Sequence, residues 1–170
     1  DDTQIGIETT PILTSINKAQ LSNYLSKREI AEYRPIVFHY GYHRMSINDA
    51  SLDGSQPFED PISHKLIKYS DLRTRPKRRL LCNGEIYNYN SLVSDNKFTD
   101  KNLQSTSDVE VILPLYIKNV EECSNPETAL RKCCTQLNGD YSFVIMENTS
   151  SFMLKDINIF VARDCFGTKP

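Results

Sequence analysis

At 170 residues, 39% apolar and 25% charged, the chain has room for one domain with a real core and too little for two ordinary domains. A net charge of −2 and a pI of 5.9 leave no global field to draw it to nucleic acid or anionic lipid. No run approaches the roughly 18 apolar residues of a membrane helix, and Asp1-Asp2-Thr3-Gln4 is acidic where a secretory leader would be basic, so a soluble cytoplasmic domain is expected.

In chain order, residues 12–28 read as a helix, with Thr14 or Ser15 as cap and Ile16, Leu21, Tyr24 and Leu25 as a loose apolar stripe. A long strand is predicted over 34–47, where Ile36, Phe38, Tyr40 and Tyr42 share one face. Region 49–79 is turn-rich, with Gly54, Pro57, Pro61 and Pro76, and only 65–69 in it looks extended. Its basic cluster, Arg73-Thr74-Arg75-Pro76-Lys77-Arg78-Arg79, reads as a solvated loop. A strand over 79–83 is expected to end in a turn at Gly84.

The best-defined helix begins at Ser107-Asp108-Val109-Glu110, a capping box, and continues through Ile112, Leu113, Tyr116, Ile117 and Val120. Pro114 inside that pattern should kink it or cost about 3 kcal/mol. Asn125-Pro126-Glu127 gives a cap, a proline at the first position and an acidic first turn for another helix. That helix should stop at Asn138-Gly139. Strands over 141–147 and 158–163 close the chain. This order suggests an α+β domain of antiparallel sheets layered with helices.

The cysteines are Cys82, Cys123, Cys133, Cys134 and Cys165, an odd number without a C-x-x-C pair, which suits inert reduced thiols better than a disulfide scaffold or a zinc cage. His39, His43 and His64 have no metal-spaced partner, so no metal site is expected. The sequon Asn148-Thr149-Ser150 would stay unmodified in a cytosolic protein.

Five segments carry more than periodicity: His43-Arg44-Met45-Ser46-Ile47, Gly54-Ser55-Gln56-Pro57-Phe58, Cys82-Asn83-Gly84-Glu85-Ile86-Tyr87-Asn88, residues 106–116, and Ala162-Arg163-Asp164-Cys165-Phe166-Gly167-Thr168-Lys169-Pro170. In order and spacing they resemble the glutaminase domain of asparagine synthetases, a class II glutamine amidotransferase of the N-terminal-nucleophile hydrolase type. The resemblance implies a four-layer αββα sandwich, two antiparallel sheets between helical layers, spanning 1–170 as a single domain. It also implies hydrolysis of L-glutamine to glutamate and ammonia. A C-terminal synthetase domain of the same protein, using ATP and Mg2+, would pass the ammonia to aspartate; this domain itself would need no cofactor. A homodimer is compatible with it, and neither nucleic acid nor membrane is expected as a partner.

Amide hydrolysis through a thioester needs a nucleophile, a base and donors for the oxyanion. In the family the nucleophile is a terminal cysteine whose own amine is the base. By resemblance Asn83 and Gly84 form the oxyanion hole, from the side-chain amide of the first and the N–H of the second, against the plain alternative of an Asn-Gly turn. Arg44 would hold the glutamine α-carboxylate with its planar fork, and Met45, Ser46, Ile47 and Asn48 would line the pocket beside it. Glu85 and Asp108 would take the α-ammonium, although an acid in a first helical turn is stabilising in any case. Arg163-Asp164 reads as a structural ion pair.

Met45 and Asn48 replace commoner family residues, and the family's His-Arg-Gly-Pro-Asp stretch is altered near Ser26-Lys27-Arg28-Glu29. No Cys-Gly-Ile opens the chain, so it is expected to be cut at both ends, inactive alone, and encoded by a sequence beginning Met-Cys-Gly. Three other readings compete: a nucleophile-less relative such as those in β-lactam-forming synthetases, the glutaminase of an amidotransferase acting on a sugar phosphate or phosphoribosyl pyrophosphate, and a nucleic-acid module built on Arg73–Arg79.

Overall fold

Period-two alternation of buried and half-buried residues builds the principal sheet. The computed structural model describes residues 4–11, 37–44, 49, 51–60, 77–123, 125–148 and 157–170, the first two segments by backbone alone. The chain divides into two compact units, Thr3–His43 and Arg44–Pro170 with Asp1–Asp2. In the first, strands β1 (Gln4–Pro11) and β2 (Val37–Arg44) pair as a two-stranded sheet, β2 completing its last residue in the second unit. The strand expected over 34–47 is therefore described as Val37–Arg44, and the helix expected over 12–28 lies outside the described residues.

The second unit holds an antiparallel sheet in the order β3 (Phe58–Glu59), β4 (Lys77–Ile86), β5 (Gly139–Asn148), β6 (Ile157–Arg163). Between β4 and β5 run helices α1 (Tyr89–Asn96), α2 (Ile112–Cys123) and α3 (Pro126–Gln136). The unit is mixed α+β. Leu80 and Ile86 of β4 and Tyr141, Phe143 and Ile145 of β5 share one buried sheet face with Ile112, Leu113, Leu115 and Tyr116 of α2 and Ala129 and Cys133 of α3. Each large apolar side chain there contributes about 1.5–3 kcal/mol by leaving water. The other sheet face carries Leu81, Val144 and Val161 in one cross-strand row, with Met146 beside Ile159 in the next.

Four expectations are corrected. The Asn83-Gly84 turn does not exist: β4 continues to Ile86, and the turn follows at Tyr87-Asn88. The basic cluster is not a solvated loop where it is described. Arg78 and Arg79 lie in β4, Arg78 buried with Nε 2.6 Å from Glu147 and Nη1 3.7 Å from Asp60, Arg79 with Nε 2.7 Å from Glu59. Tyr116 completes the first group, donating to Glu147 at 3.2 Å. Residues 73–76 and the strand expected over 65–69 lie outside the described residues.

Third, the capping box is not made. Ser107 precedes a 3-10 turn, Asp108–Val111, without a side-chain cap bond, and Glu110 turns to the loop behind it. Fourth, Pro114 falls in the first turn of α2, where a missing N–H costs little, because the helix changes from 3-10 to α at Ile112. By contrast α3 starts as expected, with Asn125 Oδ1 accepting from the N–H groups of Glu127 (2.8 Å) and Thr128 (3.1 Å). It ends at Leu137 in extended backbone that passes directly into β5.

Candidate functional site

The predicted site residues gather around the far end of β4, so far as they are described. In an antiparallel strand, alternate residues send their N–H and C=O to the same side. The β5 side takes the N–H of odd-numbered Tyr87, bound to Asn138 C=O at 2.8 Å. The opposite edge takes the even-numbered groups, and there Arg78 C=O accepts from Asp60 N–H at 3.1 Å.

Beyond β3 that edge is held by side chains. Gln56 donates from Nε2 to Cys82 C=O at 2.8 Å and accepts from Cys82 N–H at 2.6 Å. Asp108 accepts the Ile86 N–H at 2.5 Å. Gly84, midway between Cys82 and Ile86, turns its N–H and C=O onto the same edge, between these two clamps. Asn83 beside it is exposed, and its side chain makes no hydrogen bond among the described residues. Asn83 and Glu85 share the sheet face opposite the helices. Glu85 stands opposite Asp140 of β5, and the Tyr87 hydroxyl has its pKa raised by a hydrogen bond to Asp140 first, and by the charges of Glu85 and Asp164 last.

Gly84 has a structural cause of its own. Its φ is +151°, and a Cβ there would lie 2.1 Å from Asp140 C=O on β5. The glycine is demanded by the neighbouring strand, whatever approaches from the opposite edge. Gly139 mirrors it, since a Cβ there would meet Glu85 C=O at 2.1 Å.

The loop leading to Asp108 is fixed by carboxylates. Glu110 accepts from Gln104 N–H (2.7 Å), Ser105 N–H (2.9 Å) and Ser105 Oγ (2.6 Å). Burial pushes its carboxyl up, against the pull of those bonds. Asp49 accepts from Thr106 N–H at 2.9 Å and Ser51 N–H at 2.8 Å. The Ser51 bonds, then the Thr106 bond, hold its pKa down to about 2.

Arg44 ends β2 and its side chain is not described; Met45, Ser46, Ile47 and Asn48 lie outside the described residues. Asn83, Gly84, Glu85 and Asp108 therefore occupy one neighbourhood, while the carboxylate-binding half has no geometry to report. The Arg163–Asp164 ion pair is corrected. Asp164 instead accepts backbone N–H groups from Tyr141 (3.2 Å), Phe166 (2.9 Å), Thr168 (3.0 Å) and Lys169 (3.4 Å), tying the last turn to β5. Despite its desolvation, the bonds from Thr168, Lys169 and Phe166 bring its pKa down to about 2.

Burial first, then the Asp108 charge, pushes the Cys82 thiol up to about 12, and burial raises Cys133 and Cys134 as well. These three are poor nucleophiles. Among the described residues no three His, Cys, Asp or Glu side chains gather as a metal ion would require, and no helix is long and apolar enough to cross a membrane. Sequence reasoning missed Gln56 and Asp49 as parts of this neighbourhood, although Gln56 lies in a motif segment it had singled out.

A family model described as a glutamine amidotransferase domain matches residues 29–170. The chain belongs to the glutamine amidotransferase domain family. This amidotransferase domain is 30% identical over 142 residues to the probable glutamine-hydrolysing asparagine synthetase of Acanthamoeba polyphaga mimivirus, covering 84% of this chain and 20% of that protein. It is 28% identical over 131 residues to the asparagine synthetases of Rattus norvegicus and Mus musculus, covering 77% of this chain and 18% of each. The amidotransferase domain thus spans about a fifth of the length of these relatives.

Proposed function

We propose that this domain hydrolyses L-glutamine to glutamate and ammonia, as the glutaminase part of an asparagine synthetase whose further domain uses ATP and Mg2+ to amidate aspartate. The observation that carries it is the β4 edge between Gln56 and Asp108: strand alternation turns the Gly84 N–H onto that edge, beside exposed Asn83, with the Asp108 carboxylate at the next even position. Two neutral donors suit an oxyanion, and an adjacent carboxylate suits the substrate's ammonium. Arg44 and residues 45–48 complete the proposal as the α-carboxylate side, and Glu85 as a second acid.

The nucleophile called for is a terminal cysteine of the parent protein, in keeping with the raised thiols of Cys82, Cys133 and Cys134. No metal or cofactor is needed for this half-reaction. The finer architecture proposed is the four-layer sandwich, in a cytoplasmic protein. The row Leu81, Val144, Val161 supports it, since an apolar second sheet face calls for a covering layer.

The test is glutamate release from L-glutamine by the full-length protein. Asn83→Ala should lower the rate about 100- to 1,000-fold. An unchanged rate in that variant would remove Asn83 from the chemistry and the proposal with it.

A further inference from the structure

Register places residue 56 opposite Cys82, because Phe58 pairs with Leu80 and Glu59 with Arg79. A continuing strand would meet Cys82 with its backbone. Gln56 meets the Cys82 N–H and C=O with its side-chain amide instead, at 2.6 and 2.8 Å. A glutamine amide carries both the donor and the acceptor that a peptide group presents. The longer reach holds Gln56's own backbone farther from β4 than a continuing strand would lie, and among the described residues β3 does not extend to Gly84.

The same stretch of chain is tied at its other end. Asp49 accepts from Thr106 N–H, 57 residues away and two residues before Asp108. Asp49 is buried, and a 3-10 turn, Leu52–Gly54, lies between it and Gln56. One short segment therefore grips the chain at two places: just before Asn83-Gly84 and just before Asp108.

We propose that this segment is a strap that sets the spacing between the oxyanion corner and the ammonium-binding acid, with Gln56 and Asp49 as its positioning residues; this rests on the glutaminase function proposed above. Gln56 acts through Cys82 on Asn83 and Gly84, whose bonds strengthen only as the oxyanion forms. Asp49 acts through Thr106 on Asp108, which holds the ammonium in ground state and transition state alike. The two residues affect different kinetic constants for that reason.

The experiment uses the full-length protein with Gln56→Leu, Gln56→Glu and Asp49→Ala. Glutamine hydrolysis and amide hydrogen exchange are measured on the same samples. Gln56→Leu should lower kcat about 10- to 100-fold with KM within about twofold, and Gln56→Glu, which keeps the acceptor alone, should fall between it and wild type. Asp49→Ala should raise KM about tenfold with kcat within about threefold. Exchange should quicken about tenfold or more over 82–86 in Gln56→Leu and over 104–108 in Asp49→Ala, while 143–147 keeps its protection.

Equal losses in kcat and KM for both variants, or quickened exchange over 143–147, would mean general destabilisation and overturn the strap. So would unchanged exchange at both tied sites, whatever the wild type does with glutamine. Absence of glutamine turnover in the wild type would instead sink the function proposed above.

Discussion

Gly84→Ala is the substitution whose cost the structure states most directly. The new methyl carbon would stand 2.1 Å from Asp140 C=O and 2.6 Å from Tyr141 Cα, both backbone atoms of β5. Carbon and carbonyl oxygen tolerate about 3.3–3.6 Å, so the strands must part by about an ångström at the Gly84–Tyr141 pair. That opening forfeits about two ladder hydrogen bonds at roughly 1 kcal/mol each. Holding alanine at φ +151° costs about 1–3 kcal/mol more. The expected loss is about 3–5 kcal/mol, read as a lower urea midpoint with an unchanged slope. Asn83→Ala, one residue away but exposed, is the control and should stay within about 0.5 kcal/mol. A Gly84→Ala loss under about 1 kcal/mol would refute the close approach of β4 and β5 and the steric account of this glycine.

Glu147→Ala should cost about 3–5 kcal/mol, because it leaves buried Arg78 with Asp60, at 3.7 Å, as its one carboxylate among the described residues; Arg78→Met with Glu147→Leu should recover most of that in a double-mutant cycle. Asp49 has its pKa lowered from 3.8 to about 2 on folding, so its stabilisation is complete above about pH 4 and disappears as pH falls toward 2. Asp49→Asn should therefore lower stability at neutral pH and flatten the acid unfolding curve between those values, and an unaltered curve would contradict the Thr106 and Ser51 bonds. Under native conditions at pH 8 a thiol reagent followed by mass spectrometry should label exposed Cys165 well before half-buried Cys82, whose thiol is pushed up to about 12; equal rates would deny that the Cys82 thiol is raised.

What the sequence made legible was local. Asn125-Pro126-Glu127 is a self-contained helix start and appears as such, and the alternation through Tyr141, Phe143 and Ile145 marked β5 because one face is buried along its length. Helix α1 escaped notice since only Leu92 in it is buried, which leaves no periodic stripe to see. Asn83-Gly84 looked like a turn because that dipeptide favours φ > 0 in hairpins, whereas here the positive φ serves strand crowding. Arg78 read as loop charge because nothing nearby in sequence announces Glu147, 69 residues on, as its buried partner.

The candidate site divides along the same line. Residue identities within Cys82–Asn88 were enough to single out Asn83, Gly84 and Glu85 as neighbours, and the motif at 106–116 supplied Asp108. That Asp108 reaches back to Ile86 depends on a contact over 22 residues, and the Gln56 and Asp49 ties span 26 and 57. Such pairings follow from the sheet register and the return of the chain, which no short motif encodes.

The proposed glutaminase site must recognise a free amino acid by both its charged α-groups. Calorimetric titration of the full-length protein should give saturable binding of L-glutamine and no measurable binding of γ-aminobutyramide, which lacks the carboxylate, or of glutaramic acid, which lacks the amine. Binding of either analogue as tight as that of glutamine would contradict it.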